Sequence, residues 1–258
     1  MPDKIAGFIT VLLSLAFCGG LLSCVTDNAP LQIESSLPQN ELAYYNDTFD
    51  TFREDVWEKA GHVFTATQLE NIKIADMTIE AGRLRIKTKT GGFSKGGLVS
   101  KFMLKGDFDV QIDLQIDFVS GNFDMDQTLG FGALDITIKS LVSAGLSKVG
   151  TNKKGGVRAG QLRGGRYQSC YWHPVSNFNG SFRLVRVRDR VSAFYRKKGK
   201  TRWTKMCTLP SGQNDTVFGI VLHNFVKERN SITANRSITA WIDNFAINAA
   251  QEIVESEI

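Results

Sequence analysis

Cysteine, histidine and proline are scarce in this chain of 258 residues, which contains four, three and five of them. Three histidines argue against a histidine-rich metal centre, and four cysteines argue against a scaffold held together by many disulfides. Few prolines, with 42% hydrophobic and 22% charged residues, are typical of a folded rather than a disordered or fibrous protein. We therefore expect one or two domains with a sizeable apolar core.

Positive charge is concentrated in one third of the chain. Residues 139–205 contain seventeen Lys or Arg and one acid, a net charge of +16, whereas residues 27–138 carry −8. An excess of this size attracts anionic partners but does not define a fold. A cationic surface neutralised by the acidic half of the chain is the alternative. The sequence predicts an electrostatic patch for a polyanion at Arg166, Arg186, Arg188, Lys197 and Lys198.

A secretory signal peptide is predicted at residues 1–23. Thirteen consecutive residues of mainly apolar character, 5–17, follow Lys4, and small residues then lead to Leu21-Leu22-Ser23-Cys24. These last four residues resemble the lipobox of bacterial lipoproteins, and the resemblance implies that Cys24 is lipidated. An uncleaved membrane helix and a plain cleaved signal peptide are the alternatives.

The predicted export sets the expected organisation and location of the chain. We expect a lipidated tether at residues 24–43, one folded domain at 44–249 and a C-terminal tail at 250–258. The protein would then be a membrane-anchored lipoprotein, periplasmic or on the cell surface, and nucleic acid would not be its partner. In an oxidising compartment we predict a disulfide between Cys170 and Cys207, with two buried free thiols as the alternative.

The hydrophobic pattern predicts β-strands. Apolar and polar residues alternate without exception through residues 107–118, which indicates a long strand with one dry face. Shorter alternating runs that end in turn residues predict hairpins. A short helix is suggested only at residues 141–149. About ten strands over roughly 205 residues predict an all-β protein, a two-sheet antiparallel jelly-roll sandwich.

Four features in a fixed order resemble the concanavalin A-like lectin/glucanase superfamily, including its laminin-G-like modules. They are Asp47-Thr-Phe-Asp50 with Trp57, the segment 97–110, the segment 182–203 and the final Trp241-Ile-Asp-Asn-Phe245. The resemblance covers about residues 44–249 and implies a concanavalin A-like fold.

The same resemblance bears on catalysis. Members that cleave β-glucans carry a Glu-x-Asp-x-x-Glu motif on one strand of the concave sheet, and its nearest counterpart here is Ala133-Leu-Asp135-Ile-Thr-Ile138. Ala133 and Ile138 stand where both glutamates should be. We therefore predict a non-catalytic binding module for carbohydrate or an anionic surface polymer. A polysaccharide hydrolase or lyase with a different site, and a structural or protein-docking lipoprotein, are the alternatives.

Candidate ligand-binding residues come from two strands. Asp109, Asp113 and Asp117 share one strand face, either a solvated surface or the wall of a sugar-binding groove. If Cys170 faces inward, alternation places aromatic rings outward on the strand that contains it, where they would either stack on sugar rings or cover the sandwich edge. The predicted ligand-binding residues are Asp113, Asp117, Asp135, Tyr167, Tyr171 and His173. No cofactor is predicted, although Asp124 and Asp126 are candidate calcium ligands.

Overall fold

The computed structural model describes residues 33–59, 72–91, 93–119, 125–148, 155–226 and 236–256. The predicted signal peptide, Cys24 and the first part of the predicted tether lie outside these residues. Within them, the one helix is α1 (Gln39–Tyr45), and no helix has the length and apolar character that a membrane crossing requires.

Strands account for most of the described chain. They are β1 (Trp57–Lys59), β2 (Lys73–Ile74), β3 (Asp76–Glu80), β4 (Arg83–Lys87), β5 (Ser94–Ser100), β6 (Phe102–Asp117), β7 (Met125–Asp135), β8 (Ser140–Lys148), β9 (Gly156–Arg163), β10 (Arg166–Pro174), β11 (Asn177–Val187), β12 (Arg190–Lys197), β13 (Thr204–Pro210), β14 (Thr216–Val226) and β15 (Thr239–Glu255).

The strands form two layers. Sheet 1 has the order β10-β9-β8-β7-β14-β5, with β1 and β2 paired to β5. Sheet 2 has the order β3-β4-β15-β6-β11-β12-β13. A single pair, Thr216 with Leu104, joins the layers through β14 and β6. All pairings except β2 with β5 are antiparallel, so the predicted all-β antiparallel sandwich is confirmed.

The core lies between the layers and uses the alternation seen in the sequence. On β6, Phe108, Val110 and Ile112 are fully buried, as the pattern of residues 107–118 predicts. Sheet 1 contributes Phe131 and Phe218 from the facing side. Each fully buried side chain of this size stabilises the fold by about 1.5–3 kcal/mol. Burial of the two apolar sheet faces against each other therefore holds the layers together.

The predicted helix at residues 141–149 is wrong, because the chain forms β8 there, between β7 and β9. Val142, Ala144 and Leu146 alternate into the core. Apolar residues at every second position indicate a strand. Here small residues lie between the apolar ones, so the alternation is hard to recognise in the sequence. The neighbouring strands supply hydrogen-bond partners on both sides, which outweighs local helix preference.

The folded unit extends beyond both predicted boundaries. Leu42, assigned to the tether, is fully buried, and the Ser36 backbone N–H donates to the Ala250 carbonyl at 3.0 Å. Strand β15 continues to Glu255, through most of the predicted tail. The tether prediction is therefore wrong for residues 36–43, since α1 and the segment before it pack against β15.

The structure joins Cys170 of β10 to Cys207 of β13 in a disulfide with an S–S distance of 2.01 Å. These two strands belong to different sheets and lie at one edge of each. The bond therefore crosslinks the two layers at that edge.

Candidate functional site

One face of sheet 1 points away from the core and is floored by glycines. Because Leu129, Phe131 and Ala133 of β7 face the core, the intervening residues face the opposite way. The strand register extends that outer surface across β5, β14, β7, β8 and β9. We call this surface the glycine face. Its glycines are Gly97, Gly130, Gly132, Gly145, Gly156, Gly160 and Gly219.

Some positions of the glycine face need glycine because the packing is close, whereas others leave open space above the strand. A Cβ at Gly97 would lie 1.9 Å from the Ile220 carbonyl oxygen, so this position accepts only glycine. A Cβ at Gly130 would have its nearest contact at 3.6 Å, with Val221 Cγ1. The space above Gly130 is therefore available to a ligand that approaches the backbone closely.

Two exposed aromatic rings stand at one edge of the glycine face. Trp172 is 54% exposed and Tyr167 is 40% exposed. Added Cβ atoms at Gly156 and Gly160 would collide with the Trp172 indole and the Tyr167 hydroxyl, which places both rings over the floor. Arg158 lies 4.8 Å from the centre of the Tyr167 ring. Flat rings beside a floor rich in glycine suit the apolar face of a sugar.

The predicted row of Tyr167, Tyr171 and His173 does not exist as one surface. The β9–β10 register shifts between Ser169 and Tyr171, and such a bulge reverses the facing of the residues that follow. Tyr171 therefore packs against the core, with its hydroxyl 3.5 Å from that of Tyr195. Burial and this hydrogen bond raise the pKa of Tyr171 to about 12. His173 remains exposed, and Trp172 replaces Tyr171 on the glycine face.

The other end of the glycine face is basic. Lys95 pairs across the strands with His223, and His223 pairs with Thr128. Burial lowers the pKa of Lys95 to about 8. Burial, followed by the charges of Arg158 and Lys95, lowers the pKa of His223 to about 3, so the imidazole is neutral near pH 7.

The glycine face carries a single carboxylate on the described parts of its five strands. Asp126 of β7 shares the outer surface with Thr128 and Gly130, and it is 7% exposed. Hydrolysis of the glucanase type needs two carboxyl groups about 5–9.5 Å apart. The alternate outward positions on β7 are Asp126, Thr128 and Gly130, which supply a carboxylate, a hydroxyl and no side chain. This row contains one acid, whereas the glucanase mechanism uses two.

A second depression, the outer pocket, lies on the far side of sheet 2 and has a volume of about 300 Å³. Asp113 and Asp243, paired across β6 and β15, lie in its floor, and Asn244 donates to Asp113 Oδ2 at 3.1 Å. Burial, with the charge of Asp113 as a smaller contribution, raises the pKa of Asp243. Its cationic rim brings together Arg83, Arg196, Lys197, Lys198 and Lys200.

The aspartates of β6 lie on this outer side of sheet 2 and not on the glycine face. Asp113 lines the outer pocket, and Asp117 is exposed at the end of β6. Asp109 is 3% exposed and accepts from Arg183 Nε at 2.6 Å. The three side chains therefore form no common groove with Tyr167.

Two predicted site residues are structural. Asp135 is 1% exposed and accepts from the backbone N–H groups of Thr137 and Ile138 at 3.0 and 3.1 Å. It closes the β7–β8 turn, so its assignment to a ligand groove is wrong. Arg186 is fully buried over the Phe108 ring, so it is not part of an electrostatic surface. The alternation of β11 places it on the core side with Phe182 and Leu184.

The other predicted cations are exposed but separated. Arg188 lies at the β11–β12 turn and Lys197 at the opposite end of β12, about 24 Å away for a strand of that length. Lys198 accompanies Lys197 at the outer pocket, whereas Arg166 begins β10 in sheet 1. The single electrostatic patch predicted from the sequence is therefore wrong, because strand ends separate residues that are close in the chain.

The calcium candidates are only partly described. Asp124 lies outside the described residues, and Asp126 belongs to the glycine face. Within the described ranges no three His, Cys, Asp or Glu side chains gather as metal ligands.

Sequence reasoning found Tyr167 but missed Lys95, His223 and Trp172 of the glycine face. Lys95 precedes a pair of glycines at the start of β5, and His223 continues the alternation of β14. Extending both periods would have placed them on one outer surface. Trp172 carried no comparable signal, because a bulge at Cys170 decides its direction.

This architecture is that of the concanavalin A-like jelly rolls, as the sequence features predicted. No protein-family model matches the chain, and no curated protein matches it in sequence. The likeness of this chain to known proteins is therefore one of fold alone.

Three solved structures illustrate the likeness. A CBM2 module of the evolved Dit of Lactobacillus casei BL23 phage J-1 has a TM-score of 0.58 and 10% identity, over 81% of this chain and 96% of its own. A pseudo β-1,3-glucanase of Mycobacterium tuberculosis has 0.53 and 11%, over 82% and 98%. The β-glucanase of Bacillus licheniformis has 0.52 and 12%, over 78% and 96%. At these identities the likeness shows the fold alone.

Proposed function

We propose that this protein is an exported, lipid-anchored carbohydrate-binding protein whose glycine face holds a saccharide without cleaving it. The observation that carries the proposal is the glycine floor bordered by the exposed rings of Trp172 and Tyr167. An open floor admits a flat chain of sugar rings, and aromatic rings stack on their apolar faces. The names of similar structures, a CBM2 module and several glucanases, support a saccharide as the ligand.

Binding without cleavage follows from the acids of the glycine face. Asp126 is the single carboxylate on the described parts of its five strands, whereas the glucanase mechanism uses two. We therefore expect the protein to bind oligosaccharides and leave their length unchanged.

A glycan array followed by calorimetric titration tests the proposal. Trp172→Ala should weaken binding at least about ten-fold, because an exposed aromatic anchor carries much of such an interface. Tyr44→Ala is the matched control, since Tyr44 is 56% exposed and lies in α1. Asp113→Ala reports on the outer pocket: loss of binding in this variant alone would move the site to sheet 2.

The products of incubation test the non-catalytic part of the proposal. Reducing ends and unsaturated products, followed by absorbance, should stay at the level of the buffer control. Accumulation of either product would identify a hydrolase or a lyase and overturn this part.

The lipid anchor has its own test. Cys24 follows a predicted signal peptide, and acyl chains add about 0.8 kcal/mol of membrane affinity for each buried methylene. The protein should incorporate labelled palmitate and partition with membranes, and Cys24→Ala should abolish both. Membrane association that persists in Cys24→Ala would instead favour an uncleaved helix.

A further inference from the structure

Lys95 is a buried cation that has no hydrogen-bond partner among the described residues. Lys95 is 2% exposed, and its Nζ makes no hydrogen bond to the described part of the chain. Because Leu98 of the same strand faces the core, alternation places Lys95 on the glycine face, beside His223. A buried ammonium group that lacks both water and a counter-ion is costly, so such groups normally have a partner.

Two cations, Lys95 and Arg158, and one described carboxylate, Asp126, lie at outward positions on the five strands of the glycine face. Arg158 occupies the same face and is close enough to lower the pKa of His223 together with Lys95. The pKa of Lys95 is lowered by burial, and no described carboxylate counteracts this effect. The basic end of the glycine face therefore attracts negative charge but lacks an acidic partner for Lys95 among the described residues.

We propose that the saccharide held by the glycine face carries an acidic group, a carboxylate or a sulfate ester, and that Lys95 receives this group. This inference rests on the proposed carbohydrate-binding function. An anion at Lys95 would supply the hydrogen bonds that its ammonium group lacks. Hydrogen bonds between charged groups are strongest where water is excluded.

The cations around the outer pocket would also attract an acidic saccharide, but their attraction should depend on salt. Lys197, Lys198 and Lys200 are exposed. Salt therefore screens their attraction for an anion, over a screening length of about 10 Å or less. Lys95 is shielded from water, and its contact with an anion should persist at high salt. Salt dependence therefore separates the two surfaces.

Calorimetric titration with matched saccharides tests the inference. The carboxylate arm compares hexagalacturonate with its methyl ester, and the sulfate arm compares a sulfated galactan oligosaccharide with its desulfated form. In at least one arm the acidic member should bind about ten- to a hundred-fold more tightly, including at 0.5 M NaCl. The arm that shows the preference identifies the acidic group.

Lys95→Met should remove this preference while keeping the affinity for the neutral member. The control is Lys101→Met, which removes the same charge from an exposed position on the next segment and should bind as the unmodified protein does. Circular dichroism checks that both variants are folded.

The two possible failures are distinguishable. If acidic and neutral members bind equally well and Lys95→Met changes neither, the inference fails and carbohydrate binding stands. If no member of either arm and no glycan on the array binds, the proposed function fails as well.

Discussion

Replacement of Lys95 by methionine should stabilise the protein. The pKa of Lys95 is lowered from 10.5 to about 8 because the ammonium group is buried. Each pKa unit corresponds to about 1.4 kcal/mol, so keeping the charge in the folded state costs up to about 3 kcal/mol. Methionine has a similar length and no charge, and Lys95→Met should recover most of that free energy at pH 7.

The stability gained by Lys95→Met should depend on pH in a defined direction. Below pH 8 both the folded and the unfolded chain hold the proton on Lys95, so the full cost is present. Between pH 8 and 10.5 the unfolded chain retains a proton that the folded chain has released, and the stability of the unmodified protein rises with pH. The advantage of Lys95→Met should therefore shrink as the pH rises through this window.

Urea unfolding followed by circular dichroism at pH 7 and pH 10 measures both effects. At pH 7 the midpoint of Lys95→Met should lie about 1 M higher, and at pH 10 most of this difference should be lost. Lys101→Met, at an exposed position, should shift stability by less than about 0.5 kcal/mol. A destabilised Lys95→Met, or a difference that does not change with pH, would refute the reasoning.

Three further predictions address the scaffold and the floor. Arg186→Ala should lower the unfolding free energy by about 3–5 kcal/mol, because Arg186 is fully buried and donates to several acceptors, among them Thr216 Oγ1 at 2.6 Å; a loss below 1 kcal/mol in chemical denaturation would contradict this role. Reduction of the Cys170–Cys207 disulfide, which closes a loop with a sequence separation of 37, should cost about 4 kcal/mol, measured by urea unfolding with and without dithiothreitol; equal midpoints would count against it. Gly130→Val should change stability by no more than about 1 kcal/mol, since a Cβ there has its nearest contact at 3.6 Å, yet weaken saccharide binding at least about ten-fold; unimpaired titration curves would place the ligand elsewhere.

The fold could be predicted from the sequence because burial leaves a local pattern. Residues 107–118 alternate between a dry and a wet face, and β6 shows that alternation in full. The failure at residues 141–149 has a related cause: small residues blur the pattern, and partners distant in the chain decide that β8 is a strand. The predicted domain boundaries were wrong because contacts with distant segments decide what is buried. Leu42 is buried because α1 packs against β15.

The candidate site depended on contacts between distant strands. The sequence by itself determined the two-residue period, the supply of glycines and the number of charges, since each of these is a property of neighbouring residues. Only the tertiary structure decided that Arg186 turns into the core, that a bulge at Cys170 turns Tyr171 to the core and Trp172 to the glycine face, and that Lys95 and His223 stand side by side. A slip of one residue in strand register reverses every side chain, and that register is set by pairing across the sheet.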